Sequence, residues 1–207
     1  MSGSGTPAPP ASAKGAARDQ IRERLLAAAE EIFGRRGFYG ASIAEVTRRA
    51  GIAQGSFYLH FPSKEAIFRE LMRTRGVELR DTLRRSVKGI QKRSDIERVG
   101  FIAFFRWIGD HPWFYRVTRQ AEFIDPALRE GWYREFAQDY AAALAGAMEA
   151  GAIDRTDPEV LGWAIMGMAD FIAMRWLVWE GRPGLPSDKL EAFLQIASRA
   201  LGARAGS

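Results

Sequence analysis

Apolar positions recur along this chain at three- and four-residue spacing, and alternating β-branched runs are missing. That pattern predicts packed helices rather than sheet. From Arg18 to Arg36 the apolar set Ile21, Leu25, Ala28, Ala29, Ile32 and Phe33 fills one helical face, and Gly37 stops the helix. Ser42-Ile-Ala-Glu45 reads as a capping box, in which the hydroxyl accepts a backbone amide while the glutamate reaches back. The helix it opens is short, Ile43–Ala50, and ends at Gly51. A second short helix fits Gln54–His60, broken by Phe61-Pro62-Ser63. Ser63 can cap a long helix through Lys64, Ile67, Leu71, Leu79 and Leu83 to about Val87.

Five more helices are predicted: Asp95–Gly109, Pro112–Glu122, Pro126–Ala150, Pro158–Trp179 and Ser187–Leu201. Pro126 and Pro158 stand where a first-turn proline is tolerated, with Asp125 and Asp157 as caps before them. Gly151, Gly181 and Gly202 mark far ends. No internal repeat is visible, so the fold class is all-α. The helix from Pro158 is apolar nearly all round, as a helix buried on two sides should be. Leu161, Ile165, Met168, Ile172 and Trp176 form one stripe, with Trp163, Met166 and Gly167 beside it. Residues 162–179 are long enough to raise a membrane span, but Asp170 and Arg175 would be costly at bilayer depth. A buried helix of a soluble, cytoplasmic protein is the better reading.

Composition narrows the chemistry. The 207 residues contain no Cys and only two His, His60 and His111, which excludes disulfides, thiolate metal sites, cysteine nucleophiles and a multi-histidine centre. No metal and no cofactor is expected. Residues 1–17 are Gly-, Ser-, Pro- and Ala-rich without the apolar core of a secretory signal, and are expected to be a flexible tail. The net charge of +5 is uneven, with +7 on residues 1–88 and −2 on the rest. A basic N-terminal part points to a polyanion, and first to nucleic acid.

Two short helices joined by a glycine turn and braced by a longer preceding helix make a helix-turn-helix. Val46, Ala50, Ile52, Phe57 and Phe61 supply its small core, leaving Gln54, Gly55, Ser56, Tyr58 and His60 outward. Gln bonds adenine bidentately, Ser bonds phosphate or base, and Gly55 allows close backbone approach. Arg18, Arg22, Arg24, Arg48, Arg49 and Lys64 can neutralise phosphates.

These residues resemble the DNA-binding region of the tetracycline-repressor (TetR/AcrR) family from Arg22 to Phe68. The resemblance rests on Leu25–Ala29, Phe33, Gly37-Phe38, Ser42-Ile43, Ala50-Gly51-Ile52 and the block Ser56–Glu65, whose Tyr-x-His-Phe-x-Ser-Lys-Glu spacing is highly specific. It covers about a third of the chain; the helical remainder fits the family architecture without motifs of its own. The resemblance implies a homodimeric, ligand-responsive transcriptional regulator, with Ser42, Gln54, Ser56, Tyr58, His60 and Lys64 at the DNA surface. Two positions depart from the family pattern. Ala53 replaces a hydroxyl that would cap the reading helix, and Thr47 replaces a small Ala between helices.

Half of the 24 aromatics lie between Phe101 and Tyr140. So many rings are hard to close-pack, which predicts an apolar ligand space among Phe104, Phe105, Trp107, Trp113, Phe114, Trp132 and Phe136. Arg116, Arg119 and His111 are interleaved and could meet an anionic head group; Asp110, Glu122 and Asp125 could instead pair them or meet a cation. The effector expected is hydrophobic or amphipathic, with an acyl-thioester or fatty-acid-like molecule first. The last two helices, the second carrying Leu190, Phe193, Leu194, Ile196, Ala197 and Leu201, would build a four-helix dimer interface.

The expected division is a tail (1–17), an N-terminal three-helix DNA-binding domain (18–63), a connecting helix (64–88) and a larger C-terminal helical ligand-binding and dimerisation domain (89–207). Its expected partners are an operator duplex, a small effector and a second copy, with no membrane. The function expected is a repressor released from a palindromic operator by its effector, and not an enzyme. A recombinase-like enzyme would need a clustered nucleophile with phosphate-activating arginines, which the aromatic half lacks. A helical lipid-binding or interaction module with a basic surface is the alternative, and the specific Tyr58–Glu65 block argues against it.

Overall fold

The structure, a computed structural model, describes residues 11–202, and those begin inside a helix. The first helix, α1, spans Ala11–Arg36. Residues 11–17, expected as tail, are therefore helical: four alanines in seven positions outweigh Gly15 in propensity. Residues 1–10 of that tail lie outside the described residues. The fold is all-α, with no strand among the described residues.

The chain divides into two compact units, the first ending at Leu71 and the second beginning at Met72. The first contains α1, α2 (Ile43–Ala50), α3 (Gln54–Phe57) and the opening of α4 (Lys64–Ser86). Its core is a cluster of rings: Phe38 lies 5.5 Å from Phe33 and 5.2 Å from Phe68, centroid to centroid. Leu25, Ala29, Phe57 and Ile67 are fully buried around it. The reading helix is shorter than its sequence pattern predicts. After Phe57 the bonds tighten to three-residue steps, Leu59 N–H to the Ser56 carbonyl (3.2 Å) and His60 N–H to that of Phe57 (2.9 Å). Pro62 then keeps its predecessor out of helical geometry. Ser63 caps α4, its hydroxyl accepting from Ala66 N–H at 3.1 Å.

The second unit continues α4 and adds α5 (Arg93–Asp110), α6 (Pro112–Ile124), α7 (Pro126–Glu149), α8 (Pro158–Ala173) and α9 (Ser187–Ala200). Asp125 accepts from Leu128 N–H (3.1 Å), and Asp157 accepts from Glu159 and Val160 N–H (2.9 and 3.1 Å), so both predicted caps form. Helix α8 passes directly into a π-helical segment, Met174–Trp179, where the sequence pattern predicted one continuous α-helix. Leu161 and Ile165 of α8 pack with Leu144, Met148, Ile153 and Leu201, and Met168 packs against that cluster. The opposite face of α8 is solvent-facing: Val160 is 65% and Phe171 62% exposed. Within one chain, α8 is thus buried on one side, not two.

Candidate nucleic-acid interface and ligand cavity

Two devices hold α2. At its start the Ser42 hydroxyl accepts from Glu45 N–H (3.2 Å), while the Glu45 carboxylate accepts from the Ser42 amide and hydroxyl (both 3.0 Å). Those bonds, the side-chain one first, hold the Glu45 carboxyl below its ordinary range. At its end Gly51 takes the left-handed conformation (φ 66°), which L side chains adopt at a cost. Gly51 N–H then donates to the Arg48 carbonyl (3.2 Å) and Ile52 N–H to that of Thr47 (2.9 Å), a Schellman closure. The carbonyls of Ala50 and Gly51 accept from the Arg24 guanidinium at 2.6 and 3.2 Å. Thr47, buried, turns its hydroxyl back to the Ile43 and Ala44 carbonyls (3.0 and 3.2 Å) and so leaves nothing unpaired between the helices.

Against that support α3 presents Gln54 and Gly55, both exposed, and the half-buried Ser56. Ala53 precedes it with no side-chain cap, as the departure at that position predicts. Tyr58, 58% exposed, stands edge-on to the buried Phe57 ring. His60 is half-buried, with Nδ1 enclosed and unpartnered. Burial, then the Arg18 and Arg22 charges, hold its imidazole below the ordinary 6.5, so it sits here as a neutral ring.

The basic residues divide. Arg48 is exposed on α2. Arg49 pairs with Glu31 (2.7 Å), and Arg22 pairs with Glu70 (3.0 Å) while lying over the Phe61 ring. Arg24 serves α2, as above. Lys64 donates to the Phe38 and Ala41 carbonyls (2.8 and 2.9 Å), which leaves one of its three N–H groups. Sequence spacing shows such cations as charge; which partner each meets is decided by residues 18 to 48 positions away.

The second unit holds a partly open cavity of about 470 Å³ bounded by α4, α5, α7 and α8. Of the ten residues expected at a ligand site, Phe104, Trp132 and Phe136 line it. Phe105 and Phe114 are core residues, 2% and 1% exposed, the first turned 5.2 Å from Phe193 of α9. Trp107 is likewise buried and stacks on His111 at 4.2 Å. Trp113 and Arg116 pair with each other on α6, the guanidinium over the indole. Arg119 lines an adjoining open groove, which shares Tyr133, Trp163 and Asp170 with the cavity, and bonds Asp170 at 3.4 Å. The reason is placement: α6 contributes nothing to the cavity wall, whereas α4 and α8 contribute Leu79, Leu83, Trp163 and Met166. The i,i+4 pair Leu79/Leu83 was the available signal for α4.

The polar end of the cavity was not anticipated. Glu97 is 8% exposed, paired with Arg93 one turn earlier and accepting a hydrogen bond from the Tyr140 hydroxyl at 2.8 Å. Burial pushes the Glu97 carboxyl up against the opposing pull of Arg93, and likewise raises the Tyr140 phenol.

Among known proteins, residues 25–71 match the family model described as bacterial regulatory proteins, tetR family. An uncharacterized HTH-type transcriptional regulator of Bacillus subtilis, YdgC, is 55% identical over 53 residues. That match spans 26% of this chain and 27% of the curated relative's length. The fold is shared more widely. Fatty acid degradation regulator FadR from Bacillus halodurans superposes with a TM-score of 0.79 at 17% identity, over 89% of this chain and 97% of that one. Transcriptional regulator FadR from Bacillus subtilis, solved in complex with stearoyl-CoA, gives 0.76 at 17% identity over 84% and 96%. At such identities the likeness is one of fold.

Proposed function

With residues 25–71 matching the model of bacterial regulatory proteins, tetR family, we propose that the chain is a ligand-responsive transcriptional repressor acting as a homodimer on a two-fold symmetric operator. The observation that carries the reading is the doubly secured α2, which sets the short α3 with Gln54, Gly55 and Tyr58 outward. In this reading residues 18–63 bind DNA, 64–88 connect, and 89–207 bind effector and partner. Gln54 reads a base edge, Ser56 bonds base or phosphate, and Gly55 lets the backbone approach. Tyr58 and the remaining Lys64 N–H meet phosphates, and Ser42 orients α2 more than it contacts DNA. His60 supplies a neutral ring rather than a charge.

The effector proposed is a hydrophobic or amphipathic molecule in the α4–α5–α7–α8 cavity. Its aromatic walls support this, as does a fold relative solved with an acyl thioester. Such a molecule releases DNA only by binding the non-DNA-competent state more tightly, and a coupling of about 1–3 kcal/mol would lower operator affinity roughly 5–150-fold.

Mobility shifts with the full chain test the reading. Binding should favour a symmetric site and weaken by about 10³–10⁵ between 50 and 200 mM salt, for about 6–10 phosphate contacts. In site selection, Gln54→Ala should change base preference at one position per half-site, while Tyr58→Phe should weaken all sites alike. No salt slope, or unchanged preference in the Gln54 variant, overturns it.

A further inference from the structure

We propose that the effector cavity selects an uncharged ligand end, an alcohol, ester, ketone or thioester on an apolar body, and rejects free carboxylates, with Glu97 as the selecting residue. This rests on reading the cavity as the effector site. The charged residues lining it are three arginines, Arg80, Arg84 and Arg93, and three acids, Glu97, Asp139 and Asp170. Their formal charges cancel, and each arginine is engaged: Arg80 with Glu135, Arg84 with Asp139, Arg93 with Glu97. Asp170 is held by Arg119 outside the cavity wall.

Depth separates these pairs. The Arg84 side chain is 63% exposed, so its charge is largely answered by water; Arg80, 17% exposed, bonds Glu135 and lies over the Phe136 ring; Arg93 and Glu97 are deepest, at 11% and 10%. A carboxylate entering the apolar space would give up its own hydration and meet no free cation. The Arg93 Nε–H has no partner, so a carboxylate could take it, but only with Glu97 on the same guanidinium, which holds two like charges close together in a half-buried site. A neutral acceptor or hydroxyl avoids that conflict. The Tyr140 oxygen, whose proton goes to Glu97, still accepts from a ligand hydroxyl. Rejection is thus built in as an occupied cation rather than a missing one, a repulsive element of the kind that confers specificity.

The probes are 1-octanol and octanoate, which share a chain and differ in headgroup charge at neutral pH. Their binding to the full-length protein is followed by calorimetry and by quenching of tryptophan fluorescence, since Trp132 and Trp163 line the cavity. Octanol should bind about tenfold or more tighter than octanoate. Glu97→Gln keeps the shape and an acceptor for Tyr140 but frees Arg93, so octanoate should tighten about tenfold or more while octanol changes little. In the double variant Arg93→Gln/Glu97→Gln the octanoate gain should vanish. Equal or tighter octanoate binding by the unaltered protein overturns the selection while leaving the effector site standing. An unchanged preference in folded Glu97→Gln overturns the role of Glu97. Failure of both probes to bind the unaltered protein overturns the effector-site reading and the selection together.

Discussion

Arg24 and His60 show how a basic-looking residue near a DNA face can be committed elsewhere. The Arg24 guanidinium closes the last carbonyls of α2, and a Cβ on Gly51 would sit 3.0 Å from its Nη2. Arg24→Ala should lower the stability of the DNA-binding unit by about 1–2 kcal/mol, read from chemical denaturation, with base preference unaltered. A base preference that changes with it would return Arg24 to the DNA surface. His60 carries a pH prediction. Its folded pKa is depressed below 6.5, so its contribution to stability is complete above that value and is lost as pH falls through the folded pKa. NMR titration of its ring protons should give a midpoint below 6.5, and a midpoint above would contradict the burial described.

At the scale of elements, packing decides whether a helical glycine is a weakness or a requirement. Gly109 near the end of α5 and Gly146 in the last turn of α7 look alike in sequence, each a helical glycine with poor propensity. A Cβ on Gly109 would lie 2.2 Å from the Pro183 carbonyl oxygen, against backbone that cannot rotate away, whereas one on Gly146 meets nothing within 4 Å. Gly146→Ala should therefore stabilise by about 0.5–1 kcal/mol. Gly109→Ala should destabilise by about 1–3 kcal/mol. Paired thermal melts check the opposite signs. The helix starts at Ser42, Ser63, Asp125 and Asp157 were well marked in the sequence, because caps and prolines act within one turn of the residue that carries them. The π-helical run Met174–Trp179 was not, since the shift to wider bonding has no such local marker.

For the whole molecule, the proposed dimer depends on the outward face of α8. Val160 and Phe171 are exposed there, and Ile196 of α9 is 53% exposed. Phe171→Glu places a carboxylate in water in a single chain but an unpaired charge inside a dimer. Sedimentation should find that variant monomeric, with its helical content intact and operator binding weakened. If it remains dimeric, the subunits meet on another face.

What the sequence determined by itself is what local chemistry controls: helical class, caps, the glycine turn, the specific Tyr58–Glu65 block and the basic bias of the first 88 residues. Each depends on residues within a few positions, so periodicity and composition carry it. Tertiary structure alone decided which faces meet. Phe104 lines the cavity and Phe105, one residue on, fills the core, because a step of about 100° around a helix sends neighbours to different partners. The same holds for charge. Tyr140 reaches Glu97 across 43 positions and Arg84 reaches Asp139 across 55, distances over which spacing carries no information and only the packing of α4, α5 and α7 brings the groups together.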